Sequence, residues 1–272
     1  MIRRRSTAAG LAAGVVWPHA TQAREDRLTK VRRTGILRVG AVNGQPPYSW
    51  KDLATGNWSG FMIDVATGLA GELGAQVEPV ESTWGNAVLD VQADKVDVFF
   101  GLAPTPQRRL AVDFTQPLYD NAFALVARHG FDPALWQQVN DPSVRVALEF
   151  GTVYDQNVPT LCPNATVIRL KTNNEALLTV QSGRADCQML VVILALVTLA
   201  RNPAAGHLIV PEPVFASPTA AIVAKDPDGT WLDREYAWIG RLRAARDLRR
   251  MLVANLEKSG VRGSDVPAQL LF

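Results

Sequence analysis

The stretch GLAPTPQRRLAVDFTQPLYD, residues 101–120, poses a question that the surrounding chain has to answer. A continuous apolar run, VDVFFG (96–101), reads as a buried strand. A proline-stiffened turn follows it, and Arg108 and Arg109 come directly afterwards, ahead of a strand-like VDF. Two readings are open at this point: a solvated loop carrying surface charge, or an anion clamp at the end of a buried strand. Ligands of open α/β sheets sit beyond the carboxyl ends of the strands. The choice therefore depends on whether such a sheet surrounds the stretch.

The hydrophobic pattern predicts one. ILRVGAV (36–42) is a β-branched run ending in the turn-rich NGQPP, and FMIDVATGLAGELG (61–74) has apolar residues at helical spacing and stops on Gly74. AQVEPVE alternates like a strand, and WGNAVLDVQADK reads as a helix leading into VDVFFG. Strand, helix, strand, helix, strand is the pattern of a parallel sheet with crossovers. After NAFALVARHG the pattern restarts with the strand RVALEFG (145–151), the helix TVYDQNVPTL, the strand TVIRL and the helix NNEALLTVQSG. ADCQMLVV, ILALVTLAR and HLIVPE continue as strand, helix and strand, TAAIVAK (219–225) follows as a strand, and two amphipathic helices finish the chain. The strand–glycine ending recurs at Gly101 and Gly151. That favours two similar α/β units, one interrupting the other, over a single long doubly wound sheet. Strand ends opposed across a cleft would share one site.

Composition fits a soluble globular chain: 272 residues, 47% hydrophobic and 20% charged. The start has the three-part layout of a secretory signal: basic MIRRR, weakly apolar STAAGLAAGVVW and polar PHATQA. Cleavage is predicted after Ala23, and the apolar part is too short to span a bilayer. The arginine cluster leaves twin-arginine export open beside the general route. Residues 1–23 hold three of the 28 basic residues and none of the 26 acidic ones, so 25 face 26 in the remainder, a net charge of −1. That balance carries no electrostatic footprint for nucleic acid. MLVVILALVTLA (189–200) is too short for a membrane span and reads as a strand end followed by a core helix. A soluble periplasmic protein is the expectation. Of the two cysteines, Cys162 and Cys187, an exported compartment permits a disulfide, while the strand-like setting of Cys187 equally suits a reduced buried thiol. Histidines 19, 129 and 207 are scattered and no C-x-x-C spacing occurs, so neither a metal nor a cofactor is expected.

Six pieces in order, LRVGAVNGQPPYSW, GFMIDVATGLAGELG, STWGNAVLDVQADKVDVFFG, LAPTPQRRLAVDFTQPLYD, VALEFGTVYD and GRADCQML, resemble the amino-acid-binding family of bacterial periplasmic solute-binding proteins. These are the Venus-flytrap receptors of ABC importers, and the resemblance covers about residues 35–225. It implies a two-lobed α/β fold, with residues 25–125 and 217–272 in one lobe and 126–216 in the other. Crossings near ALVARHG and SPTAAIV would form the hinge. It implies a monomer, not an enzyme, that hands an amino acid or related small carboxylate to a membrane permease.

For the opening stretch, the resemblance places Arg108, five residues before Asp113, as the group that grips the ligand carboxylate, with Arg109 directed elsewhere. A planar guanidinium can hold both carboxylate oxygens, in charge-assisted bonds of roughly 1.5–3 kcal/mol each. Beyond the strand end at Gly101, the Ala103 N–H and the Thr105 hydroxyl would add donors. Gly151 and Thr152, at a helix start, would form a second grip from the opposite lobe. Trp84 would stack on the ligand, Tyr48 would line a neighbouring wall, and Asn43 and Gln45 in the first loop would contribute specificity. Ordinary packing is the competing role for Trp84 and Tyr48.

The chain also departs from its pattern. Amino-acid binders of the family usually carry an acid a few residues beyond the GRAD motif, opposite the ligand ammonium; here Val191 stands there, with Val192 beside it. The Ala103 position commonly holds Ser or Thr. A buried ammonium without a counter-charge costs several kcal/mol, against about −8 kcal/mol for micromolar binding. Either Glu149 or Asp120 supplies the charge, or the ligand is an aromatic or short organic acid with no amino group. Cyclohexadienyl dehydratases share the fold, and REDRLTKVRRTGILRV resembles their N-terminal region. The segment where they place a carboxylate reads VVILALVTL here, which lacks the general acid such chemistry needs. A soluble subunit serving a membrane sensor is a third possibility.

Overall fold

The computed structural model describes residues 26–226 and 228–266; the expected signal segment, 1–23, and His19 lie outside them. In one half of the molecule the strands Gln76–Ser82, Ile36–Val42 and Val98–Leu102 run parallel, and Ala216–Ala224 joins antiparallel. The helix Phe61–Leu73 makes the first crossover. Its apolar face, including Phe61, Val65, Leu69 and Leu73, is buried, and the Gly74 N–H closes its end on the Ala70 carbonyl. In the other half Cys187–Val191, Arg145–Glu149 and Thr166–Leu170 are parallel, and Tyr119–Ala127 joins antiparallel.

The halves meet through two nine-residue strands. Tyr119–Ala122 pairs with Thr219–Ala216, after which each strand continues into a different half. Phe123–Ala127 runs beside Val191–Cys187, whereas Ala220–Ile222 runs beside Leu102–Phe99. Polar Asn121, Ser217 and Thr219 fall on the crossing itself, and apolar residues fill the two ends.

A single ion-pair motif is used twice. In the first half Asp97 accepts the Arg38 backbone N–H at 2.9 Å, Nε at 3.0 Å and Nη2 at 2.6 Å, and returns its own N–H to the Arg38 carbonyl at 2.8 Å. In the second half Asp186 accepts the Arg145 N–H at 2.9 Å, Nε at 3.0 Å and Nη2 at 3.0 Å, again with a 2.8 Å return bond. Each motif pins the start of one central strand to the start of the next. The repetition is physical support for two similar units.

Several elements differ from the sequence reading. PQRRLA is helical, Pro106–Ala111, and not an open turn: Pro106 suits the first helical position and the Thr105 side chain caps it. The predicted helix 84–95 shrinks to Ala87–Gln92, and the strand 207–212 to His207–Ile209. An unforeseen helix, Arg27–Thr34, buries only Val31, too little for a periodic signal. Cys162 and Cys187 are both free and buried, and burial pushes the Cys162 thiol up to about 11. Among the described residues no helix is long and apolar enough to cross a membrane.

Candidate functional site

Arg108 owes its position to the short helix. The Thr105 hydroxyl accepts the Arg108 N–H at 3.3 Å and starts the turn, which directs Arg108 inward. Arg109 points out, its guanidinium 5.3 Å from the centre of the Phe114 ring. Arg108 is only 7% exposed. Its Nη1 donates to the Ala103 carbonyl and its Nη2, reaching across to the second half, to the Gly151 carbonyl, both at 3.1 Å. Two of its five N–H donors are thus engaged. Among the described residues no carboxylate pairs with it, and burial alone pulls its pKa down to about 10. At neutral pH it is a buried cation without a counter-charge among the described residues.

Arg108 lines a cavity of about 50 Å³ between the halves. Tyr48, Trp84, Gly101, Leu102 and Ala103 complete the first wall, and Asn121, Ser217 and Thr219 supply the floor from the crossing strands. Thr152, Val153, Tyr154, Val191 and Leu194 face them from the second half. Gly101, at φ +100, lets the strand end pass under the Trp84 ring; a Cβ there would lie 3.2 Å from it. Tyr48 stands edge-on to Trp84, with centroids 6.4 Å apart, and its Oη accepts from Asn121 Nδ2 at 2.7 Å. Thr152 caps the helix Val153–Leu161 by accepting the Asp155 N–H and donates its hydroxyl to the Glu149 carbonyl.

Tyr48, Trp84, Gly101, Ala103, Arg108, Thr152 and Val191 therefore come together at one cavity. The other predicted residues stand elsewhere. The Thr105 hydroxyl serves the helix cap. Gly151 lies at the seam, with φ +78, where an added Cβ would fall 2.8 Å from the Gly85 Cα. Asn43 and Gln45 line an adjoining groove; Asn43 Oδ1 accepts the Lys51 N–H, while Gln45 donates to Glu149 and accepts from Asn173, both at 3.1 Å. Glu149 faces the same groove, and Asp120 sits opposite Pro218 in the strand pair, so neither acid lines the cavity. Leu102, Asn121, Val153, Tyr154, Leu194, Ser217 and Thr219 escape the sequence reading. Polar residues at the start of two otherwise apolar strands are the available signal for three of them.

Burial raises the Glu149 carboxyl from its ordinary 4.5 to about 7. A raised acid stabilises the fold fully below its unfolded pKa and loses that contribution as pH rises through the folded one. Unfolding free energy is expected to fall between pH 4.5 and about 7, and Glu149→Gln to flatten that slope in urea melts. An unchanged slope would place the titration on another group.

The sequence profile described as bacterial extracellular solute-binding proteins, family 3, matches residues 37–228. The chain is 25% identical over 172 residues to the cyclohexadienyl dehydratase of Pseudomonas aeruginosa, covering 62% of this chain and 63% of that enzyme. It is 26% identical over 172 residues to the glutamine-binding protein of Geobacillus stearothermophilus, covering 61% and 64%. These matches span just under two thirds of the relatives' own lengths. Among solved structures, an ancestral amino-acid-binding protein, a precursor of cyclohexadienyl dehydratase, superposes with a TM-score of 0.77 at 27% identity, over 85% of this chain and all of that one. A solute receptor for L-cysteine from Neisseria gonorrhoeae shares the fold, with a TM-score of 0.79 at 23% identity over 90% and 99% of the two chains. The mixed α/β architecture is the two-lobed one of periplasmic binding proteins. With the profile running from the first central strand past the second crossing strand, the chain belongs to the bacterial extracellular solute-binding proteins, family 3.

Proposed function

We propose that this protein is an extracytoplasmic receptor of an ABC-type importer that binds a small carboxylate by closing two lobes around it. The observation that carries this reading is the Arg108 guanidinium, buried at the seam of the two halves and lacking a carboxylate partner among the described residues. On this reading lobe 1 comprises the described residues up to about 122 and from about 220 onward, and lobe 2 lies between, with the two crossing strands as the hinge. Lobe 1 thus stops a few residues short of the expected limits at 125 and 217, because Phe123–Ala127 pairs with the second half. Contacts that reach both lobes, such as Arg108 to Gly151 and Gln45 to Glu149, favour the closed form, and a bound ligand would add to them. The closed receptor would be presented to a membrane permease as a monomer. The test is calorimetric titration with small carboxylates and their uncharged amides. Binding of acids but not amides is expected; equal binding of both would remove the clamp from the account.

The Gly85–Gly151 approach gives a second handle on closure. Gly151→Ala puts a Cβ 2.8 Å from backbone in the opposite lobe, on a residue at φ +78. Carboxylate affinity is expected to drop by at least about tenfold, or 1.4 kcal/mol, as measured by titration. Unaltered affinity would show that this approach plays no part in binding.

A catalytic second reading draws on the likeness to the dehydratase. That chemistry calls for a general acid facing the substrate, and no carboxylate or histidine stands among the described residues that line the cavity. Incubation with prephenate or arogenate is expected to leave both unchanged; consumption of either would establish the catalytic reading instead.

A further inference from the structure

Taking the Arg108 cavity as the ligand site, the reading on which this inference rests, we propose that its ligand is a short hydroxy acid: a carboxylate bearing a hydroxyl and no amino group. Charge is the first argument. Among the described residues Arg108 is the one charged side chain lining the cavity, so a single carboxylate neutralises it. An amino acid would bring an ammonium as well, against a wall formed by Val153, Val191 and Leu194. The nearby acid Glu149 is held in the adjoining groove by Gln45. A buried charge without a partner is costly, and a neutral group at that place is not.

The second argument is an unmatched acceptor. Asn121 is 3% exposed and lines the cavity. Its Nδ2 donates to Tyr48 Oη at 2.7 Å, and its Oδ1 lies buried without a donor among the described residues. Buried acceptors are ordinarily satisfied. A carboxylate has no hydrogen to offer Asn121, whereas a hydroxyl offers one without importing charge. Size agrees with a short skeleton. The cavity, at about 50 Å³, is a small one.

The experiment is titration calorimetry with acids of matched skeleton: lactate, alanine and propionate, then 2-hydroxyisovalerate, valine and isovalerate, using both enantiomers where they exist. The hydroxy acid is expected to bind tightest in each series, by at least about tenfold over the amino acid and about tenfold over the deoxy acid. Asn121→Asp supplies the missing negative charge and is expected to invert the order in favour of the amino acid. Misfolding cannot produce that gain. If amino acids bind tightest to the wild type and Arg108→Met abolishes this, the hydroxy-acid inference fails while the receptor reading stands. Equal binding of hydroxy and deoxy acids would remove Asn121 from recognition and overturn the inference. If no acid in either series binds, the inference and the carboxylate-receptor reading fall together.

Discussion

Arg108→Met is expected to weaken carboxylate binding by at least about a hundredfold and, in the opposite direction, to stabilise the ligand-free protein. The first effect follows from two charge-assisted bonds worth roughly 1.5–3 kcal/mol each, of which methionine can make neither. The second follows from burial. Keeping Arg108 charged costs the fold on the order of 3 kcal/mol, since its pKa is drawn from 12.5 to about 10. Two hydrogen bonds, to the carbonyls of Ala103 and Gly151, offset part of that cost and vanish with the guanidinium. A net gain of about 1 kcal/mol would raise the Tm by roughly 2–4 °C for a chain of this size. Calorimetric titration and scanning calorimetry on the same variant read both effects. Retained affinity would show that the ligand sits elsewhere. Lost affinity with a lowered Tm would mean that the two carbonyl bonds outweigh the buried charge, and that Arg108 is chiefly structural.

The fold is legible in the sequence because its central strands and crossover helices carry strong periodicity, as in Phe61–Leu73. Arg108 is legible only through the family resemblance, which singles it out from Arg109; the buried strand before it indicates a loop near a site and no more. Legibility stops where a hydroxyl or amide has two possible partners. By sequence Thr105 reads as a ligand donor; in the structure its oxygen also accepts the Arg108 N–H at the helix N-terminus, a bond that leaves its O–H to donate. Gln45 reads as a specificity contact, yet its amide is committed to Glu149 and Asn173. Short-range spacing cannot rank such partners, because the winner depends on which elements approach from the other half of the chain. Asn121, Ser217 and Thr219 escape notice for the same reason: the crossing that brings them together joins strands about a hundred residues apart.

The largest effect on stability is expected at Asp97, whose side chain is 1% exposed and accepts three N–H groups of Arg38 and one from Arg27. The Asp97→Asn amide would keep one acceptor oxygen, turn an NH2 toward guanidinium donors, and leave Asp94 as the remaining carboxylate shared by Arg38 and Arg27. With Asp94 still neutralising both cations, losing the carboxylate's bonds to charged donors costs about 1.5–3 kcal/mol, a sizeable share of a total stability of about 5–15 kcal/mol. Asp186→Asn breaks the same motif in the second half, but Arg145 and Arg128 are 39% and 44% exposed, so water screens much of what is lost. A smaller loss is expected there. Hydrogen bonds from Arg145 also hold the Asp186 carboxyl down at about 2. Its contribution is therefore present above the ordinary 3.8 and disappears as pH falls through about 2. Urea unfolding of both variants at neutral pH separates the two terms. A larger loss at Asp97 would assign the motif's strength to desolvated charge pairs. An equal loss would assign it to the contacts whose geometry the two halves share, the strand N–H bond at 2.9 Å and the Nε bond at 3.0 Å.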